Sequence, residues 1–171
     1  MNPVRGALKL ASDLSAPVVR TGRTLARPAW RLGKDLSARA VTQYHRALLT
    51  VTRGRVGNSG FGMPVLELTT TGRKSGKPRT IVLTSPVQEG DALVVVASYG
   101  GDDRHPAWYL NLRDDPTVEV KVRGVTRPMV ARVATPDERT RLWPQVTEKY
   151  RGYASYQERT DREIPLVILE P

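Results

Sequence analysis

The chain has 171 residues, no cysteine and two histidines, and its 27 Lys/Arg against 17 Asp/Glu leave a formal charge of +10. Without cysteine there is no disulfide, thiolate metal site or cysteine nucleophile, and with histidines only at 45 and 105 a histidine metal centre is not expected. The length gives room for one domain with a genuine core plus an appendage, and any redox chemistry has to come from an organic cofactor.

The charge is unevenly placed. Residues 1–56 hold eleven Lys/Arg against Asp13 and Asp35, whereas residues 57–171 are close to balance. Residues 1–56 therefore read as a basic, amphipathic helical extension with an anionic partner, and residues 57–171 as the domain. The extension divides into helical pieces at Pro17, Pro28 and Gly33, the first with Val4, Leu8, Ala11 and Leu14 at helical spacing. In the last piece Leu36, Ala40, Tyr44, Leu48 and Val51 share one face, and Arg39, Arg46 and Arg53 cluster opposite. Such a helix either docks on the domain with its basic face in water or lies on an anionic membrane surface. Nucleic acid is not expected, because only Trp30 and Tyr44 are interleaved with these cations. No apolar run approaches the roughly 20 residues that cross a bilayer, and Lys9 and Asp13 interrupt any cleavable signal. A cytoplasmic protein is expected, with peripheral contact at the inner face of the plasma membrane as the companion expectation.

After the flexible boundary "GRVGNSGFGMP" (54–64), strands dominate. "VLELTTT" (65–71) alternates, turns through a cationic loop and returns as "RTIVLTSPVQ" (79–88), and "EGD" then turns tightly into "ALVVVASYG" (92–100). "HPAWYLNLRDDP" (105–116) reads as a short helix with Pro106 in its first turn, and His105 is expected to cap it rather than act as a base. "TVEVKVRG" (117–124) and "TRPMVARVA" (126–134) make another strand pair. "TPDERTRLWPQVTEKY" (135–150) opens a helix with Thr135 at the N-cap, Pro136 at N1 and Glu138 completing a capping box. "IPLVILEP" (164–171) closes the chain as a buried strand. Antiparallel strands interrupted by short helices predict an α+β, mainly β, small closed barrel.

The loop within "TTTGRKSGKPRT" (69–80) crowds Arg73, Lys74, Lys77 and Arg79 around Gly76 and Pro78. It fails the Walker A form, since only three residues separate its glycines and Pro78 stands where Ser/Thr is needed. From the residues alone, a solvated hairpin tip and an anion cradle are both open; glycine lets N–H groups approach an anion, and Arg offers bidentate bonds to phosphate or carboxylate. Tyr150, Tyr153 and Tyr156 recur at threes and line one helical face, with Gly152 between them giving local mobility. No Ser-His-Asp hydrolase motif is present.

The cationic loop, "VVVASYGGDDRHPAWYLNL" and "YRGYASYQERTDREIPLVILEP", in this order and spacing, resemble the deazaflavin-dependent nitroreductase family over roughly residues 61–171. That resemblance implies a split β-barrel like that of the FMN-binding flavoproteins, and the reduced 5-deazaflavin coenzyme F420 as hydride donor. Carried over position by position, the family's cofactor contacts fall on Arg73, Lys74 and Ser75, and on Arg79, Thr80 and Ile81. Further contacts fall on Val96, Ala97, Ser98 and Tyr99, on Ala107, Trp108, Tyr109, Leu110 and Asn111, and on Tyr153. Tyr99 stands where related sequences more often have lysine, exchanging a cation for an aromatic surface. Ser98 and Tyr153 are the candidates for hydrogen bonding to ring or acceptor, with Tyr150 and Tyr156 beside them closing the substrate pocket. The implied acceptor is a quinone, menaquinone-like, or a nitroaromatic or nitroimidazole. Two other readings share the fold: a non-catalytic deazaflavin carrier, and an FMN-dependent reductase, which the clustered cations disfavour because FMN lacks a long anionic tail. Related barrels often dimerise, so a homodimer is a further expectation.

Overall fold

The computed structural model describes residues 59–60 and 62–171. The helices expected over residues 1–56, their membrane or docking contacts, and the boundary at residue 56 lie outside the described residues.

Among the described residues, eight antiparallel strands carry the fold. In chain order they are β1 (Ser59–Gly60), β2 (Met63–Thr71), β3 (Pro78–Thr84), β4 (Val87–Glu89), β5 (Ala92–Val96), β6 (Thr117–Val122), β7 (Val125–Val133) and β8 (Leu166–Glu170). Three helices accompany them: α1 (Ala107–Asp114), α2 (Pro136–Lys149) and α3 (Gly152–Gln157). Pairing runs β3-β2-β6-β7-β8-β5-β4, with β1 a short addition to β2. The two ends of that order, β3 and β4, are consecutive in the chain and joined only by Ser85 and Pro86. One bent segment therefore belongs to both edges, and the sheet curls into a barrel that is split along β3.

The single strand expected over 79–88 is thus two. Proline has no N–H for a ladder, so Pro86 ends the pairing with β2 and the chain bends onto the opposite edge. Buried Ser85 holds the bend: its N–H donates to the Pro64 carbonyl at 2.9 Å, and its hydroxyl lies 2.9 and 3.0 Å from the carbonyl oxygens of Val87 and Val94.

Alternation sorts the apolar side chains into two layers. Leu66, Leu68, Leu93, Val95, Val118, Val120, Met129, Ala131, Val167 and Leu169 fill the barrel, together with Trp108, Tyr109 and Leu112 of α1. The other faces of β5 and β8, carrying Val94, Val96, Leu166 and Ile168, pack under Leu142 and Val146 of α2 and Tyr153 of α3. Strands covered on both faces read as continuous apolar runs, which is why "ALVVV" and "LVILE" do not alternate. β6 alternates between buried and exposed residues along its length, and β7 does so from Met129 to Val133 after an exposed first half.

The capping box forms as expected: the Thr135 hydroxyl accepts from Glu138 N–H, and the Glu138 carboxylate accepts from Thr135 N–H at 2.8 Å. At α1 the expectation fails in detail. Pro106 itself occupies the N-cap without a side-chain bond, and His105 does not cap the helix. Its ring lies instead against Tyr109, with centroids 4.8 Å apart, and its Nδ1 is 3.4 Å from an Arg162 nitrogen.

Candidate functional site

Where β3 and β5 separate, the barrel opens. The ladder between the bent segment and β5 ends at the Val87–Val94 pair, and β3 has no partner but β2 among the described residues. Beyond the bend one wall is β3, carrying Arg79, Thr80 and Ile81; the other is the end of β5, running from Val96 through Ala97, Ser98 and Tyr99. The cationic loop, the end of β5, and the starts of β6 and β8 gather at one end of the barrel.

The loop itself is tightly built. Gly72 N–H donates to the Lys77 carbonyl at 2.9 Å, and the Gly72 carbonyl accepts from the N–H groups of Ser75 and Gly76. A Cβ at Gly72 would lie 2.9 Å from Ser75 Oγ and 3.0 Å from the Lys77 carbonyl oxygen, so a side chain there would force the turn to shift. Arg73, Lys74, Lys77 and Arg79 are all exposed and make no ion pair among the described residues. Four cations held within seven residues by an ordered turn, with no carboxylate paired to them among the described residues, fit a polyanionic ligand.

The turn after β5 is strained. Tyr99, Gly100 and Gly101 have φ of 50°, 62° and 77°, and a left-handed tyrosine persists only where its surroundings enforce it. At Gly101 the close approach is to the protein itself. A Cβ there would sit 2.6 Å from the Tyr156 carbonyl oxygen and 2.9 Å from Arg159 Cβ, so this glycine lets α3 press onto the turn.

The three tyrosines do meet. Tyr150 closes α2, while Tyr153 and Tyr156 lie on α3, and their ring centroids are 5.3 to 6.3 Å apart. Tyr153 is buried and its hydroxyl lies 3.3 Å from Thr84 Oγ1, near the apex of the opening. Burial pushes its phenol above the ordinary tyrosine value, and Tyr156, 3.4 Å from the Tyr150 hydroxyl, is pushed up to about 12, first by that hydrogen bond. Gly152 was expected to supply mobility. Its role in the fold is space: a Cβ would fall 2.3 Å from Tyr150 Cε1, because the Tyr150 ring lies across it.

Other expected contacts are placed as follows. Trp108, Tyr109, Val96 and Ala97 are buried in the two apolar layers, Ile81 and Leu110 pack partly against the barrel interior, and Ala107 is exposed. Thr80 turns outward, its hydroxyl 2.9 Å from that of Thr69.

The model of the F420H(2)-dependent quinone reductase family matches residues 39–171. The chain belongs to that family. It is similar to the F420H(2)-dependent quinone reductase Rv1261c of Mycobacterium tuberculosis (strain H37Rv), 43% identical over 129 residues, which cover 73% of this chain and 86% of the relative. The putative F420H(2)-dependent quinone reductase Rv3178 of the same strain is 39% identical over 115 residues, or 66% of this chain and 96% of the relative. A solved F420-H2 dependent reductase, FDR-A, is 44% identical with a TM-score of 0.57, covering 63% of this chain and 94% of its own. A second solved chain, described as a domain-swapped dimer, is 40% identical with a TM-score of 0.60, covering 75% and 94%.

The fold is therefore the split barrel that the sequence motifs implied, the protein is an oxidoreductase, and its coenzyme is F420. Among the described residues no helix is long and apolar enough to cross a membrane, and no cluster of His, Asp or Glu could hold a metal ion. In this F420H(2)-dependent quinone reductase family member two polar residues organise the opening in ways that sequence alone missed. Buried Asn111 ties loop to helix: its Oδ1 accepts from Arg73 N–H at 3.3 Å and its Nδ2 donates to Thr70 Oγ1 at 3.1 Å. Arg162, inside the quoted "TDREIP" segment, reaches the turn after β5. Sequence gives one cue for it, an arginine four residues ahead of a buried apolar strand.

Proposed function

We propose that the opening between β3 and β5 holds the reduced deazaflavin, with its anionic tail on the 72–79 loop and its ring between residues 79–81 and 96–99. The observation that carries this reading is the coincidence of that opening with four cations lacking a carboxylate partner among the described residues. When bound, the coenzyme supplies a hydride. The remaining work falls to the chain: to orient the ring, exclude water and provide a proton at the acceptor oxygen.

Arg73, Lys74 and Arg79 would hold the tail, and Ser75, Thr80 and Ile81 would line its path. Ser98 is suited to donate to the ring edge, since its Oγ accepts from Gly100 N–H at 3.5 Å and keeps its own O–H. Tyr153 is suited to donate to the acceptor. Its raised pKa keeps the phenol protonated across the neutral range, and Thr84 orients its hydroxyl. Tyr150 and Tyr156 wall the acceptor side with flat aromatic surface. Trp108 and Tyr109 support the site from the barrel interior, and Asn111 sets the loop at its working position.

The acceptor is a flat electrophile: a quinone, menaquinone-like, with nitroaromatics and nitroimidazoles as further substrates of the same pocket. Residues 1–56, basic and amphipathic in sequence, would rest on an anionic membrane and bring the site to a lipid-soluble quinone. The relative described as a domain-swapped dimer supports a homodimer, which sedimentation velocity on the full chain would show. Stopped-flow oxidation of F420H2 by the purified chain, with menaquinone, a nitroimidazole and no acceptor in parallel, tests the reading. Acceptor-dependent oxidation is expected; oxidation that ignores the acceptor contradicts it.

A further inference from the structure

We propose that Arg162 is a positioning residue that sets the Ala97–Asp102 turn against the coenzyme, on the reading above that this turn faces the ring. One guanidinium gathers three backbone carbonyls of a single turn. It donates to Ala97 O at 3.2 Å, Ser98 O at 2.8 Å and Asp102 O at 2.8 Å, and its remaining nitrogen lies 3.4 Å from His105 Nδ1. A trans peptide points its N–H opposite to its C=O. Drawing the Ala97 carbonyl toward Arg162 therefore turns the N–H of Ser98 to the other side of the chain. That N–H, presented beside the Ser98 hydroxyl, is a donor for an electron-rich carbonyl edge. The partner chemistry is thus the carbonyl-bearing edge of the deazaflavin ring.

The same residue connects that turn to the tyrosine segment. Arg162 N–H reaches Thr160 Oγ1 at 3.4 Å, Thr160 Oγ1 lies 3.3 Å from Asp103 Oδ1, and the Arg162 carbonyl accepts from Gln157 Nε2 at 2.8 Å. Gln157 ends α3, so the helix carrying Tyr153 and Tyr156 and the turn carrying Ser98 are fixed to one group. Lysine cannot replace it, because an ammonium is a point charge and lacks the planar fork that spans several acceptors.

Arg139 provides the control. It anchors the other side of the same segment, with Nη1 2.7 Å from the Ile164 carbonyl oxygen and Nη2 3.4 Å from Gln157 Oε1, and does not touch the turn. Affinity for F420 is read by coenzyme fluorescence in the full chain, for Arg162→Lys and Arg139→Lys, beside thermal unfolding of each. Arg162→Lys is expected to raise Kd about tenfold or more, which is about 1.4 kcal/mol, and to raise KM for F420H2 while that for the quinone changes little. Arg139→Lys is expected to lower the melting temperature and leave Kd within about twofold. Equal losses of affinity in both variants, or unchanged affinity in Arg162→Lys, would overturn the proposal. Independently of any variant, the backbone amide resonance of Ser98 in the unsubstituted chain should move downfield on binding F420; an unmoved amide overturns it as well. If the unsubstituted chain does not bind F420, the site reading fails, and that outcome is distinct from a failure confined to Arg162.

Discussion

Replacing Gly152 by alanine should cost stability through one identifiable contact. The added Cβ would stand 2.3, 2.4 and 2.7 Å from Tyr150 Cε1, Cζ and Oη. Carbon atoms settle at about 3.5–4.0 Å, so the ring has to move by more than about 1 Å. Moving it disturbs the edge-on contact with Tyr153 at 5.3 Å and the 3.4 Å approach of the Tyr150 and Tyr156 hydroxyls. Overpacking of this kind costs about 1–3 kcal/mol, of which an aromatic pair accounts for about 0.5–1.5. Against it, exchanging glycine for alanine in a helix stabilises by about 0.4–1 kcal/mol where the backbone allows. Gly152 begins α3 and has no left-handed φ, so that gain is available. The net expectation is a loss of about 1–2 kcal/mol, a fall of several degrees in Tm. A double-mutant cycle isolates the cause. In a Tyr150→Ala background the ring is gone, and Gly152→Ala should become neutral or stabilising in urea unfolding. The same cost in both backgrounds would refute the argument.

Other expectations follow from single contacts. Tyr153→Phe should slow acceptor reduction about a hundredfold or more while F420 affinity stays within about twofold, since a positioned proton donor contributes about 10²–10⁴-fold; rapid-mixing kinetics and fluorescence titration separate the two. Asn111→Leu should destabilise by about 1–3 kcal/mol, because Arg73 N–H loses its acceptor and buried Thr70 Oγ1 its donor, and should weaken F420 binding through the loosened loop. Arg132 pairs with Glu138 and Glu170 at 2.8 Å, and Glu138 is held at about 2, first by that hydrogen bond. A lowered carboxylate pKa contributes stability above its unfolded value, near 4.3, that is lost as pH falls through the folded value. Tm should therefore decline between about pH 5 and pH 2, and Arg132→Gln should flatten that decline. The full chain should sediment with anionic vesicles and stay in the supernatant with neutral ones; deleting residues 1–56 should abolish the difference.

What could be read in the sequence was whatever depends on neighbours along the chain. The β2–β3 hairpin, the helix start at Thr135-Pro136 with Glu138, and the apolar closing strand each follow from local pattern. The order of the motifs also placed residues 73–81 and 96–99, the two segments that line the opening. The bend at Ser85–Pro86 was missed because the strand-like run before it leads straight into Val87 and Gln88, although Pro86 was the available signal. His105 was misassigned because position before a proline says nothing of Arg162, which is 57 residues away in sequence. The Asn111–Arg73 tie, the Arg162 clasp and the Tyr150 ring over Gly152 join segments by tertiary packing. No periodicity or spacing encodes them.

The central claim is that the hairpin cations hold the coenzyme by its anionic tail. Fluorescence titration of F420 and FMN against the unsubstituted chain and the Arg73→Gln, Lys74→Gln, Arg79→Gln triple variant tests it directly. The account predicts that the unsubstituted chain prefers F420 over FMN, that the variant loses about a hundredfold or more of its F420 affinity at low salt, and that added salt narrows the gap between them. An equal hold on F420 by both proteins, or a preference for FMN, would contradict it.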